Sequence, residues 1–387
     1  MKIVILHRIP FEKIRYDQIL DHQAHDVIYF CLSAPQTPLP GNATVIVLAQ
    51  PCFDAAWLAE HHAHTLAGAD RLIARSEYDL MAAARLREHF AIPGDTPAHI
   101  LPLRNKWVMR YRCKQQGIRQ PAFWHPLEFL QLPPQPGKFL LKPREEASSN
   151  GIITGDDAAI RDAILKLDNS EKMMVETFID GTVCHFDGWL SKGKPLAFVS
   201  SEYLRDCLSF SAGSPLGSVQ TPTDPAHLAL VTETLAALGY RDGSFHFEAI
   251  RDAGGRFWFL ETAARVGGAG VAETFHLRTG LNLYHADLRY QIFGIPPATV
   301  KALNPLFYGW FVYPAHHLDA GGQVPFSAEK WAGFLLHYHH NQAVRAKGPI
   351  SYAADHSPLS GVVVGKQQDL PRVINAIFNE CNLVVTK

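Results

Sequence analysis

Apolar and polar positions alternate in blocks along the first hundred residues. Lys2 to Leu6, Asp26 to Phe30, Thr44 to Leu48 and Arg71 to Ala74 are short runs rich in Ile, Val and Leu. Such runs read as buried strands. Between and after them, Glu12 to Leu20, Asp54 to His64 and Tyr78 to His89 carry helical spacing. Strands alternating with helices predict a parallel α/β unit.

The texture then changes. Asn105 is placed to cap a helix over Lys106 to Gln116, closed by Gly117 with Pro121 beyond, and the proline-rich stretch Leu132 to Gly137 reads as a loop. Strand-like runs follow at Phe139 to Lys142, Met173 to Glu176, Val183 to Leu190 and Pro195 to Ser200, with a helix at Asp156 to Leu167. Asp224 and Pro225 form a cap and first-turn signature for a helix to Leu238. Gly243 to Arg251 and Arg256 to Thr262 flank Asp252, Ala253, Gly254 and Gly255, a hairpin signal. Two helices, Val271 to Thr279 and Asn282 to Phe293, come next. The remainder mixes strands with helices near Ala328 to His340 and Asp369 to Glu380.

Composition sets limits on function. The 387 residues are 47% hydrophobic and 19% charged, with 36 Lys and Arg against 37 Asp and Glu. This is ordinary globular usage and gives no reason to expect nucleic acid or a membrane surface as the partner. The opening apolar run stops at His7 and Arg8 and no later stretch approaches a membrane span, so a cytoplasmic location is expected. Six scattered cysteines suggest reduced core thiols rather than disulfides or a zinc ribbon.

The hairpin carries the most suggestive chemistry. If its four-residue turn pairs Arg251 with Arg256, Glu248 faces Phe259 and Glu261 faces His246. All four then share one face, with the carboxylates diagonal at roughly 7–8 Å between backbones. Two acids on one half-buried face need a cation, and Mg²⁺ suits carboxylate oxygens while leaving room for phosphate and water. Arg265, Gly267, Gly268 and Gly270 follow, leading into a helix. A glycine-rich helix start with an arginine fork suits an anion, and acids for metal beside an anion cradle are what phosphoryl transfer requires. Upstream, Lys142 ends a strand and precedes the small polar loop Ala147 to Gly151, which includes Ser148 and Ser149. Neither a P-loop nor a dinucleotide fingerprint occurs, so ATP would have to bind through another fold. The absence of H-E-x-x-H sets aside a zinc hydrolase.

Five segments in a fixed order resemble the ATP-grasp superfamily, and within it the carboxylate-amine ligases similar to bacterial L-amino acid ligases. They are Asn105-Lys106-Trp107, Phe139 to Pro143, Val175 to Gly181, His246-Phe247-Glu248, and Leu260 to Arg265. The resemblance implies an α/β domain over 1–103, an ATP-grasp domain over 104–300 and a small α+β subdomain over 301–387. The ATP-grasp part would be α+β, its lobes (104–180 and 181–300) clamping the nucleotide.

It further implies Lys106 and Lys142 on the phosphates under a loop carrying Ser148 and Ser149, and Glu176, Phe178 and Ile179 in the adenine segment. Glu248 and Glu261 would hold Mg²⁺, with Mn²⁺ able to replace it. Arg265, with Lys142, would act on the transferred phosphoryl group.

Two positions depart from the pattern. Ala263 stands where many relatives have a metal-binding asparagine, and Val183 and Cys184 stand where an acid is often found.

The implied reaction joins a small-molecule carboxylate to an amine through an acyl phosphate. Two alternatives are an ATP-grasp enzyme that activates bicarbonate or formate, and a non-catalytic ATP-binding protein. Substrate contacts are expected from His185 and Asp187, which alternate on one strand face, and from His246 and Gly268. Arg205, Ser209 and His276 fall in segments that line the acceptor pocket in similar proteins. The alternative for His185 and Asp187 is a hydrogen-bonded pair on the sheet surface. The histidine clusters at 61, 62 and 64 and at 337, 339 and 340 lack a completing acid or cysteine in sequence and read as surface residues. The oligomeric state is left open, a homodimer included.

Overall fold

The structure is a computed structural model describing residues 1–318, 322–341 and 350–385. Its first sheet is fully parallel, ordered Thr44–Val47, Asp26–Cys31, Lys2–His7 and Arg71–Ala74. One face packs under Ala55–His61 and Leu80–His89 through Leu6, Phe30, Leu58 and Leu86. The other presents Ile3, Ile5, Tyr29 and Ile73 to Leu283, Leu288 and Ile292 of a helix that lies far along the chain. Burial on both faces explains why Lys2–His7, Asp26–Cys31 and Arg71–Ala74 are continuous apolar runs rather than alternating ones, whereas Thr44–Val47, read from its composition as buried, is an edge strand and mostly exposed. The helical pattern from Glu12 is broken: Phe11–Ile14 and Tyr16–Gln18 are separate turns, because Arg15 adopts φ 52°.

A second, antiparallel sheet is ordered Phe123–Trp124, Met173–Thr177, Lys138–Pro143 and Ile153–Asp156, and is backed by Asp157–Lys166. The third sheet has eight antiparallel strands. Its order is Phe257–Ala263, Gly243–Arg251, Thr182–Ser191, Lys194–Leu204, Leu216–Thr221, Phe307–Val312, Leu359–Gly365 and Leu335–His340. The last three come from beyond residue 300 and continue the same sheet. The region expected as a helix near Ala328 to His340 is a short 3₁₀ turn, Ala328–Trp331, followed by the edge strand Leu335–His340. That strand alternates partly buried and exposed positions, the period of a sheet edge rather than a helix.

The helix Lys106–Gln115 starts where Asn105 accepts hydrogen bonds from the Trp107 and Val108 amides. Its inner residues Met109 and Cys113 pack with Phe247 and Phe259 on one face of the large sheet. The opposite face of that sheet, together with the second sheet and the carboxyl ends of the parallel strands, borders a cavity of about 350 Å³.

Candidate active site

The hairpin is present, with a different register. Arg251 pairs with Phe257 rather than Arg256, and the ladder shifts between Glu248 and Ala249, so that Ala249 faces Phe259 while Glu248 faces Glu261. Leu260 is the extra residue of a β-bulge. The bulge lets Phe257 and Phe259 pack into the core with Phe247, while Leu260 and Glu261 both turn to the cavity. The two carboxylates are therefore directly opposite rather than diagonal, and Phe259 does not share their face.

Lys106, Lys142, Ser148, Ser149, Phe178, Ile179, His246, Glu248, Glu261, Arg265 and Gly268 all line this one cavity. Lys106 Nζ lies 3.1 Å from Glu261 Oε2 and donates to the Glu146 carbonyl at 2.6 Å. Burial alone would raise the Glu261 carboxyl, yet Lys106 and Lys142 hold it down at about 2. Lys142 is buried, which pulls its ammonium below the ordinary lysine range, while Glu176 at 2.7 Å works the other way. Ser148 and Ser149 both adopt φ 57°, the tight geometry of the loop over the cavity.

Glu176 departs from expectation. Its carboxylate is fully buried, bonded to Arg110 Nε at 2.8 Å and to Lys142, and does not line the cavity. It anchors Lys142 from beneath. Phe178 and Ile179, two and three residues on, do reach the cavity, with Leu140, Ile152 and Ile250 around it.

His185 and Asp187 lie on the predicted face, opposite Glu248 and His246 on the neighbouring strand, but they are covered. Tyr203 lies over His185 with ring centroids 4.7 Å apart. His185 Nδ1 lies 2.6 Å from Asp187 Oδ2 and its Nε2 lies 2.7 Å from Ser218 Oγ. Asp187 Oδ1 meets His246 Nδ1 at 2.7 Å, and His246 Nε2 meets Glu248 Oε1 at 3.2 Å. Tyr203 Oη donates to the same Glu248 oxygen at 3.0 Å. Among the described residues, His185, Asp187 and His246 are the group close enough to hold a metal ion. Their ring nitrogens and carboxylate oxygens are already engaged with one another. His185 and Asp187 thus form a covered hydrogen-bonded pair that holds His246, and of the three only His246 lines the cavity.

Three further residues fall elsewhere. Arg205 is exposed and lies over the Phe378 ring at 4.8 Å. Ser209 completes a capping box with Asp206 at the start of its helix. His276 is exposed on the helix Val271–Thr279. None of the three lines the cavity. Segment-level resemblance located their neighbours Asp206 and Cys207, which do line it, but not these side chains.

Residues at the ends of the parallel strands were missed. Ile9, Arg75, Ser76, Glu77 and Tyr78 border the same cavity. Glu77 is buried and receives Arg265 Nε at 2.5 Å and Arg104 Nη1 at 2.6 Å. Burial raises its carboxyl, but the two arginines leave it below the ordinary range. The available signal was their position, just past the carboxyl ends of parallel strands, where α/β sheets place ligands.

The glycine-rich turn passes close to this network. A Cβ at Gly267 would lie 2.6 Å from Val271 Cγ1 and 2.9 Å from both Asp187 Oδ1 and His246 Nδ1. One at Gly270 would lie 2.5 Å from Trp310. Bare backbone is required at both positions.

The histidines at 61, 62 and 64 pack with Trp57 and Phe30 or with each other. In the other cluster an acid does approach from elsewhere in the chain, since His337 Nε2 contacts the Glu273 carboxylate. Of the cysteines, Cys52 is exposed, which corrects its assignment to the core.

No family model matches the sequence. The chain is 24% identical over 283 residues to an L-arginine-specific L-amino acid ligase of Bacillus subtilis, covering 69% of this chain and 68% of that protein. Among solved structures it resembles an L-amino acid ligase from Bacillus licheniformis, with TM-score 0.75, 18% identity, and 100% and 98% of the two chains covered. It also resembles an N5-carboxyaminoimidazole ribonucleotide synthetase from Thermotoga maritima, with TM-score 0.67, 14% identity and full coverage of both. The fold is that of the ATP-grasp enzymes. In the ATP-grasp fold a nucleotide is clamped between two α+β lobes, and here the cavity lies between the second sheet and the large one. No helix among the described residues is long and apolar enough to cross a membrane.

Proposed function

We propose that this protein is an ATP-dependent carboxylate-amine ligase that joins amino-acid-like substrates into an amide, releasing ADP and phosphate. The observation that carries the reading is the convergence of two lysines, two opposed glutamates and one arginine on a single cavity. The relatives named for L-amino acid ligation support the substrate class.

Glu248 and Glu261 fit Mg²⁺. Two carboxylates face each other across a strand pair, with Lys106 already neutralising one of them, a donor set that suits a hard divalent ion. Bound there, Mg²⁺ or Mn²⁺ offsets the charge of the ATP phosphates.

Lys142, anchored by Glu176, and Lys106 hold those phosphates, and the Ser148–Ser149 loop covers them. The adenine lies among Phe178, Ile179, Leu140 and Ile250. A substrate carboxylate oxygen bonds to the γ-phosphorus as the bond to the β-bridging oxygen breaks and ADP leaves. The amine nitrogen of the second substrate then bonds to the acyl carbon. Phosphate departs with the electron pair of the broken carbon–oxygen bond, and the nitrogen loses a proton to solvent. Arg265, fixed by Glu77, donates to the transferred phosphoryl group. Preorganised donors aimed at developing charge are a large part of catalysis. His246 and the Gly268 backbone face the same space and position substrate.

The test is phosphate release from ATP and Mg²⁺ across pairs of L-amino acids, with the product identified by mass. Amide products with matching phosphate support the reading. Release stimulated by bicarbonate or formate and indifferent to amino acids would replace it.

A further inference from the structure

Next to Glu248 the cavity is walled by Tyr203, Cys207, Leu216, Trp310 and Tyr352, which share one apolar cluster. We propose that this recess receives an apolar side chain of aromatic or large aliphatic size from one of the two amino acid substrates, and that cationic amino acids are excluded from it. The inference rests on the ligase reading above.

The walls are a packed surface. Tyr203, Leu216 and Trp310 belong to one buried apolar cluster with Phe210, Val271 and Val312, against which Cys207 and Tyr352 pack. The Tyr203 and Trp310 rings meet edge to face at 6.2 Å, and Tyr352 stacks on Phe210 at 4.8 Å. Rigid apolar walls of this kind bind by area and shape. The recess also adjoins the reacting centre. Trp310 lies against Gly270, in the turn that begins at Arg265, and Tyr203 donates to Glu248.

Charge argues in the same direction. Five carboxylates line the cavity, and each is engaged within the chain. Glu77 holds Arg104 and Arg265, Glu248 meets His246 and Tyr203, and Glu261 pairs with Lys106. Asp206 caps its own helix through the Ser209 amide, and Glu146 accepts from Asn150. Glu248 and Glu261 are further committed to metal. None of the five residues that wall the recess carries a carboxylate to pair a guanidinium or ammonium side chain, and burying an unpaired charge is costly. At 24% identity, the arginine specificity in the Bacillus subtilis relative's name need not carry over.

The experiment measures kcat/KM by phosphate release for L-Phe, L-Leu, L-Met, L-Arg and L-Lys, each paired with L-Ala, and for L-Ala alone. It is done on wild type and on Cys207→Phe, which fills the recess. We expect the apolar amino acids to exceed Arg and Lys by at least about tenfold. In Cys207→Phe the ratio of the Phe pair to the Ala pair should fall by at least about tenfold. If that variant does not fold, Cys207→Met reads the same ratio with a smaller intrusion. Arg or Lys equal to or better than the apolar set overturns the recess assignment and leaves the ligase reading standing, as does a variant that changes all pairs in proportion. No release with any pair overturns the ligase reading and this inference with it.

Discussion

Glu248 and Glu261 are cross-strand partners, brought face to face by a single bulged residue, Leu260. The bulge separates two demands on one strand, since Phe257 and Phe259 go to the core and Glu261 to the cavity. Glu261→Gln keeps the shape and removes the charge. Its turnover should fall by at least about a hundredfold, the upper range seen when only a supporting partner of a metal ligand is lost. Its thermal midpoint should stay within about 1 °C of wild type, roughly 1 kcal/mol for a protein of this size. Wild-type activity at saturating Mg²⁺ would remove Glu261 from the metal site.

Lys142 and Glu176 make a separable pair of predictions. Lys142→Ala removes the cation that faces the cavity, so ATP affinity measured by calorimetry should weaken by about one order of magnitude or more, the scale of a charge-assisted contact. Glu176→Gln acts on the fold instead. It leaves Arg110 and Lys142 buried without their common anion, and breaking a buried pair from one side costs about 3–5 kcal/mol. Urea unfolding should show that loss. A stability change under 1 kcal/mol would mean that Glu176 is not the anchor of Lys142, and unchanged ATP affinity in Lys142→Ala would end its phosphate role.

The sequence made periodicity legible and left coverage hidden. Lys2 to Leu6, Asp224–Pro225 and Val271 to Thr279 announce their elements by local rules of burial and capping, and the structure has them. Lys142, Glu248, Glu261 and Arg265 are visible as chemistry on strands and at a helix start, Lys106 comes only with the family resemblance, and the fold brings all five to one cavity. His185 and Asp187 show the limit. Alternation gave their face correctly, but Tyr203 and the turn at Gly267 lie on top of them, a tertiary fact that no strand pattern contains. The bulge at Leu260 failed for a related reason: register is settled by which residues the core accepts, here Phe259 beside Phe247. Glu77 lies 188 residues before Arg265 in sequence, and only the packing of the parallel sheet onto the large domain joins them.

The thiols offer a check on the packing. Burial pushes Cys31 and Cys184 up to about 11 and Cys113 to about 12, and raises Cys207 and Cys381 as well. Cys52 is exposed. Because the thiolate is the reactive species, a disulfide reagent at pH 8 should titrate Cys52 rapidly, Cys207, half-buried in the cavity wall, more slowly, and the four buried thiols only on unfolding. Cys52→Ser should abolish the fast phase. Two or more fast equivalents in that variant would contradict the burial of Cys31, Cys113, Cys184 and Cys381.

Gly267 gives the sharpest structural test, because the turn there touches the hydrogen-bonded pair beneath the site. A methyl group at this position meets Val271, Asp187 and His246 within 2.9 Å, and only the Val271 side chain has freedom to yield. Asp187 and His246 are both buried and bonded to each other, so relief must come from moving the turn. Overpacking of this kind typically costs about 1–3 kcal/mol. Gly267→Ala should lose that much stability in urea and should also lower turnover, since Arg265 is two residues away. Gly268→Ala is the control, because a Cβ there has open space. Its stability should match wild type within about 0.5 kcal/mol. Equal stability for the two variants would mean that the turn does not press on the Asp187–His246 pair.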